Sequence, residues 1–466
     1  MKPGGSDSLV VGLQGPWPTA TEAAWLARYQ PAGVILFSRN VQDYSQLRSL
    51  CDALHQLVEG LEIMADHEGG PVSQLAVAVG RPPAAWALGV LDDPDLTTRV
   101  FAETGRRLAA VGVDRVLAPV ADVLSEPRNP VIGARAFGGD SDLVCRHTAA
   151  AVSGLLEAGL HVCLKHWPGH GGSREDSHLR ETDIGGGAAS EPFVAGLHAG
   201  ADGLMVGHLL TGDRRNGRLL PASLDPDFLA ASRRVFSAGG AKGPIVFADD
   251  VTMGALGPPM ERLGVPVPTV LPSGLFDPAD LPRAWFESLT AAGCDRLLIR
   301  GLPLGAFPVG EEPGPPLSRP TSGPFPAEFS TGPYEEARAR LWQESGAGFA
   351  DMGEDLLWLD FSRGDRWEVA AGETGGGLDS VHRLMEPMFR SIRTEGVDPL
   401  GNRPFRRLLV ASHRPLTDIS PGIPDLDSGG VCLVLGHPSL KTDLEALLGP
   451  GWRVGALFDM APEDMK

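Results

Sequence analysis

The chain has 466 residues, of which 40 are basic and 59 acidic, for a formal net charge of −19. That balance argues against nucleic acid or an anionic membrane as partner, and no stretch approaches the run of about 20 apolar residues that spans a bilayer. The length suffices for two cores, and 60 glycines and 41 prolines make the chain rich in loops.

The first residues, Met1-Lys2-Pro3-Gly4-Gly5-Ser6, lack the apolar core of a signal peptide. From there to about residue 300, short apolar runs alternate with amphipathic stretches. The runs are Leu9–Leu13, Gly33–Phe37, Glu62–Ala65, Arg115–Ala118, His161–Leu164, Gly203–Val206, Ile245–Ala248 and Arg296–Ile299. The helical stretches between them include Thr19–Tyr29, Tyr44–Val58, Thr97–Val111, Asp142–Ala158, Pro192–Ala199 and Ala284–Ala292. Eight strands with helical crossovers predict an α/β fold, a (β/α)8 TIM-like barrel over residues 1–300, with its active site at the C-terminal strand ends. An open doubly wound sheet is the competitor, but it would use fewer strand ends at once. Here Asp66, Lys165, His166, His208 and Asp249 all end apolar runs, and Arg135 follows the fourth.

Residues 301–333 hold nine prolines with Gly and Ser between them and read as a semi-rigid linker. Residues 334–466 read as a smaller C-terminal α/β domain of normal size whose role the sequence does not state. Its helices are Tyr334–Glu344, Val381–Arg393 and Ser439–Leu448; its strands are Leu356–Phe361, Arg407–Ala411, Val431–Leu435 and Trp452–Phe458. His413 and His437 are its only polar candidates, and surface or capping roles suit them better than chemistry. The five cysteines (51, 145, 163, 294 and 432) are scattered and odd in number, and several lie in apolar runs. They read as reduced thiols, and the protein is expected in the cytoplasm. No zinc spacing, Walker loop or dinucleotide fingerprint appears, so no metal and no cofactor is expected. Gly185-Gly186-Gly187 follows no strand and reads as a flexible loop.

The most informative segment runs from Lys165 to His178, Lys-His-Trp-Pro-Gly-His-Gly-Gly-Ser-Arg-Glu-Asp-Ser-His. Its Pro-Gly-His-Gly-Gly part continues neither strand nor helix and predicts a loop. Asp176 and His178 are two apart, so a turn brings a carboxylate onto an imidazole nitrogen, fixing its tautomer and raising its basicity. The plainer alternative is a solvated loop with incidental histidines.

Several blocks, in order, resemble bacterial β-N-acetylglucosaminidases of glycoside hydrolase family 3. They are Gly33-Val-Ile-Leu-Phe-Ser-Arg-Asn40, Asp66-His-Glu-Gly-Gly70, Ala118-Pro-Val-Ala-Asp122 and Asn129-Pro-Val-Ile-Gly-Ala-Arg-Ala-Phe-Gly138. Then follow Lys165–Gly171 with Asp176-Ser-His178, Pro221-Ala-Ser-Leu224 and Phe247-Ala-Asp-Asp-Val-Thr-Met253. The resemblance covers roughly residues 8–300. It implies Asp249 as catalytic nucleophile, His178 as general acid/base and Asp176 as its orienting partner. It also implies that Asp66, Arg135, Lys165 and His166 bind hydroxyls of the terminal sugar. The implied substrate is an N-acetylglucosamine-containing saccharide or muropeptide, cleaved from its non-reducing end with retention, as in peptidoglycan recycling. Retaining cleavage needs a carboxylate on one face of the sugar and a proton donor on the other, which this set supplies. Glycines 169, 171 and 172 suggest a mobile acid/base loop.

Other roles stay open at this stage. Asp250 reads as a structural carboxylate. Asp66 or Asp122 is open to an N-cap reading, and Lys165 and Arg135 to a structural ion network with Asp66. His208 either contacts the ligand or bridges backbone groups. One departure stands out. Family members carry Val-x-Arg after the Gly-Gly pair, whereas this chain has Pro71-Val72-Ser73-Gln74, so Gln74 stands where a sugar-holding Arg is expected. Gln can donate a hydrogen bond but carries no charge. The alternative functions are a phosphorylase, since an imidazole acid/base does not repel phosphate, and a non-catalytic sugar-binding or scaffold protein.

Overall fold

A computed structural model describes residues 6–309, apart from 127–128, 130, 185–188, 216–217 and 238–242. It also describes residue 329 and the elements at 332–345, 348–351, 356–360, 406–412, 430–436 and 452–456. Eight strands close into a barrel: Leu9–Gly12, Gly33–Leu36, Glu62–Ala65, Arg115–Val116, His161–Trp167, Gly203–Val206, Ile245–Ala248 and Arg296–Ile299. They neighbour one another in sequence order, the first pairs with the eighth, and the strand pairs are parallel.

Alternation along the strands divides the apolar residues between two cores. Val10, Ile35, Met64, Leu117, Cys163, Met205, Phe247 and Leu298 fill the barrel interior, one from each strand or its immediate end. Their neighbours, such as Val11, Val34, Ile63, Val162, Leu204 and Leu297, face outward and pack beneath the helices. Below the interior layer lies Arg115, 1 % exposed, which donates to Asp202 at 2.7 Å and to Glu62 at 3.0 Å, with its guanidinium over the Phe247 ring.

The helices start where short polar side chains cap them. Thr19 and Glu22 form a reciprocal capping box at helix Ala20–Tyr29. Asp43, Asp93 and Asp140 each accept the N–H three residues on, at helices Tyr44–Leu57, Pro94–Ala110 and Ser141–Glu157. Helix Pro94–Ala110 begins three residues before the expected Thr97, because Asp93 caps it and proline suits the first helical position. Helix Pro226–Ser237 was not among the expected elements. Its signal is Asp225-Pro226, with the Asp225 carboxylate accepting from the N–H groups of Asp227 and Phe228.

Two strand bounds differ from expectation. The fourth strand stops at Val116, just before the Ala118-Pro119 step, where proline offers no N–H to the ladder. The fifth runs on through Lys165 and His166 to Trp167. The bond between those two residues is cis, as are Ala118–Pro119 and Trp167–Pro168.

Beyond the barrel, helix Gly332–Ser345 docks on helix Pro94–Ala110, with the Tyr334 hydroxyl 2.8 Å from Thr104 Oγ1. Five strands, Gly348–Asp351, Leu356–Asp360, Arg406–Ser412, Gly430–Gly436 and Trp452–Ala456, form a sheet in that order. Its first two joints are antiparallel and its last two parallel. The strand at 348–351 adds to the four expected. The helices expected at 381–393 and 439–448, together with His413, His437 and Gly185–Gly187, lie outside the described residues.

Candidate active site

The strand ends open into one cavity of about 350 Å³. It is lined by Phe37, Asp66, Glu68, Gln74, Arg135, Lys165, His166, His170, Asp176, Ser177, His178, Asp249, Asp250 and Arg300, among others. Its floor includes interior-layer residues Ile35, Met205 and Leu298, so chemistry begins where the packed core of the barrel ends.

One wall is an ion network centred on Glu68, 2 % exposed. Arg135 clasps its carboxylate with both arms, at 2.8 and 2.9 Å. Lys165 bridges Glu68 and Asp66, lying 2.5 Å from the latter. Burial alone would raise the Glu68 pKa, but the two cations outweigh it and pull the value down to about 2. Burial likewise pushes the Lys165 ammonium down, and Asp66 and Glu68 outweigh that and hold it above the ordinary lysine range. Of the ion network left open as an alternative for Lys165, Arg135 and Asp66, the Lys165–Asp66 pair is present, but Arg135 pairs with Glu68, the hub, which the sequence showed only as part of the Asp66–Gly70 block.

His166 is set from two sides. Its Nδ1 lies 2.7 Å from Asp122 Oδ2, and its Nε2 lies 3.2 Å from Arg135 Nη2. Arginine can only donate, so Nε2 accepts and Nδ1 carries the proton. Asp122 is fully buried and also takes the backbone N–H of His170 at 2.7 Å. It braces the end of the fifth strand rather than capping a helix.

The loop that carries Asp176 and His178 is tied down at many points. Asp176 Oδ1 lies 2.7 Å from His178 Nδ1 and also accepts the His178 N–H at 2.8 Å, so one carboxylate fixes both ring and backbone. His170 Nε2 meets Ser177 Oγ at 2.8 Å. The His178 carbonyl accepts from Gly254 N–H after the seventh strand, and Arg174 pairs with Glu126. Thr182–Asp183 pairs with the strand that follows the sixth barrel strand. The glycines have packing reasons. A Cβ on Gly171 would stand 1.9 Å from the Val123 carbonyl oxygen, and one on Gly172 would stand 2.6 Å from that of Ile184.

On the other side, Asp249 caps the seventh strand and accepts the Asp250 N–H at 2.8 Å. Burial opposes its ionisation, but the polar surroundings supplied by His166, His208 and His178, together with that N–H, bring its pKa down to about 2. The group stands as a free carboxylate facing the cavity, as a nucleophile requires. Asp250 points elsewhere: it accepts from the Thr252 N–H and hydroxyl and pairs with Arg300 Nε. It is structural, as expected.

Of two further expected sugar contacts, only Gln74 reaches the cavity. His208 does not line the cavity. Its Nδ1 meets Ser223 Oγ at 2.8 Å and its Nε2 meets the Asp250 carbonyl at 3.1 Å, so it supports the Asp249–Asp250 turn from behind. Gln74 does line the cavity, but its Oε1 accepts the Ser38 N–H at 3.0 Å, which ties down the loop after the second strand. Arg300 and Phe37 also line the cavity and were not foreseen, although each ends a strand as Asp66 and Asp249 do. No group of metal-binding side chains is found among the described residues.

A barrel mouth that sets a free carboxylate and an Asp-held imidazole around one cavity has the layout of a glycoside-cleaving enzyme. The chain belongs to glycosyl hydrolase family 3: residues 8–274 match the model of the family's N-terminal domain. It is 33 % identical over 261 residues to the beta-hexosaminidase of Xylella fastidiosa (strain M23), covering 53 % of this chain and 76 % of that protein. A solved structure of NagZ from Neisseria gonorrhoeae in complex with N-trifluoroacetyl-D-glucosamine is 27 % identical, with a TM-score of 0.52 over 63 % of this chain and 81 % of that one. The family 3 β-N-acetylglucosaminidase from Paenibacillus sp. str. FPU-7 covers 97 % of this chain and 88 % of its own, with a TM-score of 0.58. At 22 % identity that likeness shows the fold alone.

Proposed function

We propose that the pocket removes a terminal β-linked N-acetylglucosamine from small saccharides by retaining hydrolysis. Asp249 attacks the anomeric carbon as His178 protonates the departing oxygen, which leaves a glycosyl ester on Asp249. His178 then takes a proton from water, and the resulting hydroxide releases the sugar and regenerates the free carboxylate. Asp176 keeps the protonatable His178 Nε2 directed outward by holding Nδ1. Asp66, Lys165, Arg135 and His166 form the wall against which the sugar hydroxyls rest. Asp249 beside the Asp176–His178 pair around a single cavity is the observation that carries this reading.

The cavity of about 350 Å³ has room for one terminal sugar, not a run of polymer, which supports exo action on soluble fragments such as muropeptides. Peptidoglycan recycling in the cytoplasm is the setting that fits such fragments. Cys51, Cys145, Cys163 and Cys294 are free thiols, in keeping with a reducing compartment, and no described helix is long and apolar enough to cross a membrane.

The test is turnover of 4-nitrophenyl N-acetyl-β-D-glucosaminide with and without phosphate, followed by release of N-acetylglucosamine from muropeptides. Free N-acetylglucosamine is the expected product in both buffers. A sugar 1-phosphate would make the protein a phosphorylase, and binding without turnover would make it a sugar-binding protein.

A further inference from the structure

The cations of the cavity are not equivalent. Lys165 is clamped between Asp66 and Glu68, and both arms of Arg135 are taken by Glu68. Arg300, at the end of the eighth strand, is different. Only its Nε meets a carboxylate, that of Asp250, and its side chain is 38 % exposed. Its two terminal amino groups have no partner among the described residues. Its backbone carbonyl accepts from Arg39 Nη2 at 2.6 Å, and its guanidinium carbon lies 5.9 Å from the Phe37 ring centre, so its base is fixed while its tip is free.

Arg300 also lines a second cavity of about 610 Å³, with Gln14, Glu22, Arg39 and Asp277 among its walls. The Glu22 carboxylate there is already committed to the N–H groups of Gln14 and Thr19, both at 2.7 Å. Arg300 is the residue common to the two cavities.

We infer that Arg300 is a specificity residue: its terminal amino groups hold hydroxyl oxygens of the bound sugar, and its side chain closes the catalytic pocket against the neighbouring cavity. A guanidinium anchored through Nε leaves its two outer nitrogens set for paired donation. Gln74, whose Oε1 accepts the Ser38 N–H, brings only a neutral amide to the pocket wall, not a charged fork of donors. The inference deepens the proposed function and rests on it for the identity of the sugar.

The experiment compares wild type with Arg300→Met and Arg300→Lys. Calorimetry gives the Kd of N-acetylglucosamine; kinetics use 4-nitrophenyl N-acetylglucosaminides, unsubstituted or benzoylated at O3, O4 or O6. Arg300→Met should raise Kd roughly tenfold to a hundredfold, the range of a charge-assisted hydrogen bond. Arg300→Lys should recover part of that loss. Arg300→Met should also improve kcat/KM for at least one benzoylated substrate relative to the unsubstituted one. A Kd within about twofold of wild type in both variants, with kcat alone reduced, would make Arg300 a mere brace for Asp250 and overturn the inference. If wild type neither binds nor cleaves the N-acetylglucosamine compounds, the proposed function fails. The variants are then compared on whichever sugar of a β-glycoside panel wild type binds. Unaltered affinity there, or no binding to any sugar of the panel, also overturns the role of Arg300.

Discussion

At the scale of single residues, the proposed reaction divides its work between two side chains, Asp249 and His178. Asp249 is held ionised, with a pKa of about 2. Asp249→Asn should abolish labelling by a fluorinated N-acetylglucosamine analogue, whereas Asp250→Asn should leave the label on residue 249; mass spectrometry of the labelled peptide decides between them. A substrate whose leaving group needs no proton isolates the nucleophilic step. Its glycosylation rate should stay flat as pH falls to about 3, because a carboxylate with a depressed pKa loses its negative charge only below that point. His178→Ala should cost about 10²–10⁴ with poor leaving groups and far less with very acidic phenols, and Asp176→Ala should show a milder form of the same pattern. Equal losses for every leaving group would remove His178 from proton transfer. The dyad was legible in the sequence because its partners lie two residues apart. The role of Glu68 was not, because Arg135 is 67 residues away and Lys165 almost 100, and only the closed barrel brings them together. Local spacing likewise could not show that His208 turns from the cavity toward Ser223.

Among the elements, the strands were read from apolar runs, and six of the eight lie within one residue of their expected bounds at both ends. The fourth and fifth differ most, and both end in the active-site wall. There proline and a buried carboxylate set the backbone in place of ladder propensity, as Asp122 does at the start of the Pro168–Gly172 loop. That loop shows how packing differs from the mobility its glycines suggested. With the Val123 carbonyl 1.9 Å from a Gly171 Cβ, no side chain fits without moving backbone. Gly171→Ala should therefore shift the segment that carries Asp176 and His178. The expected result is a kcat fall of at least about tenfold, since small misplacements of a catalytic group are costly, with the ellipticity spectrum retained. An alanine variant with wild-type kcat would show that the loop yields easily and that its placement does not limit the reaction.

Across the whole molecule, burial of neutral histidines links stability to pH. His67, His147 and His170 are each at most 2 % exposed, and burial pulls their pKa values down to about 3, 4 and 4. In the unfolded chain they titrate near 6.5. Between about pH 4 and 6.5 the unfolded state therefore binds protons that the folded state refuses, and stability falls as pH falls. Each histidine contributes up to about 1.4 kcal/mol per pH unit in that window. Glu68 acts in the same sense lower down: its folded pKa of about 2 lies below the usual carboxylate value, so its contribution is lost as pH drops below about 4. His147 is the clearest probe because it stands outside the catalytic cavity. Its Nδ1 is 2.8 Å from Thr97 Oγ1, and its ring stacks on Phe137. His147→Gln keeps a side chain that can hydrogen-bond Thr97 but removes the titrating group. It should lower stability somewhat at neutral pH and flatten the dependence between about pH 5 and 6.5 by roughly 1 kcal/mol per unit, read from urea unfolding followed by tryptophan fluorescence. A slope equal to that of wild type would mean that His147 accepts its proton in the folded protein, with Asp92, 3.3 Å from Nε2, stabilising the charge against burial.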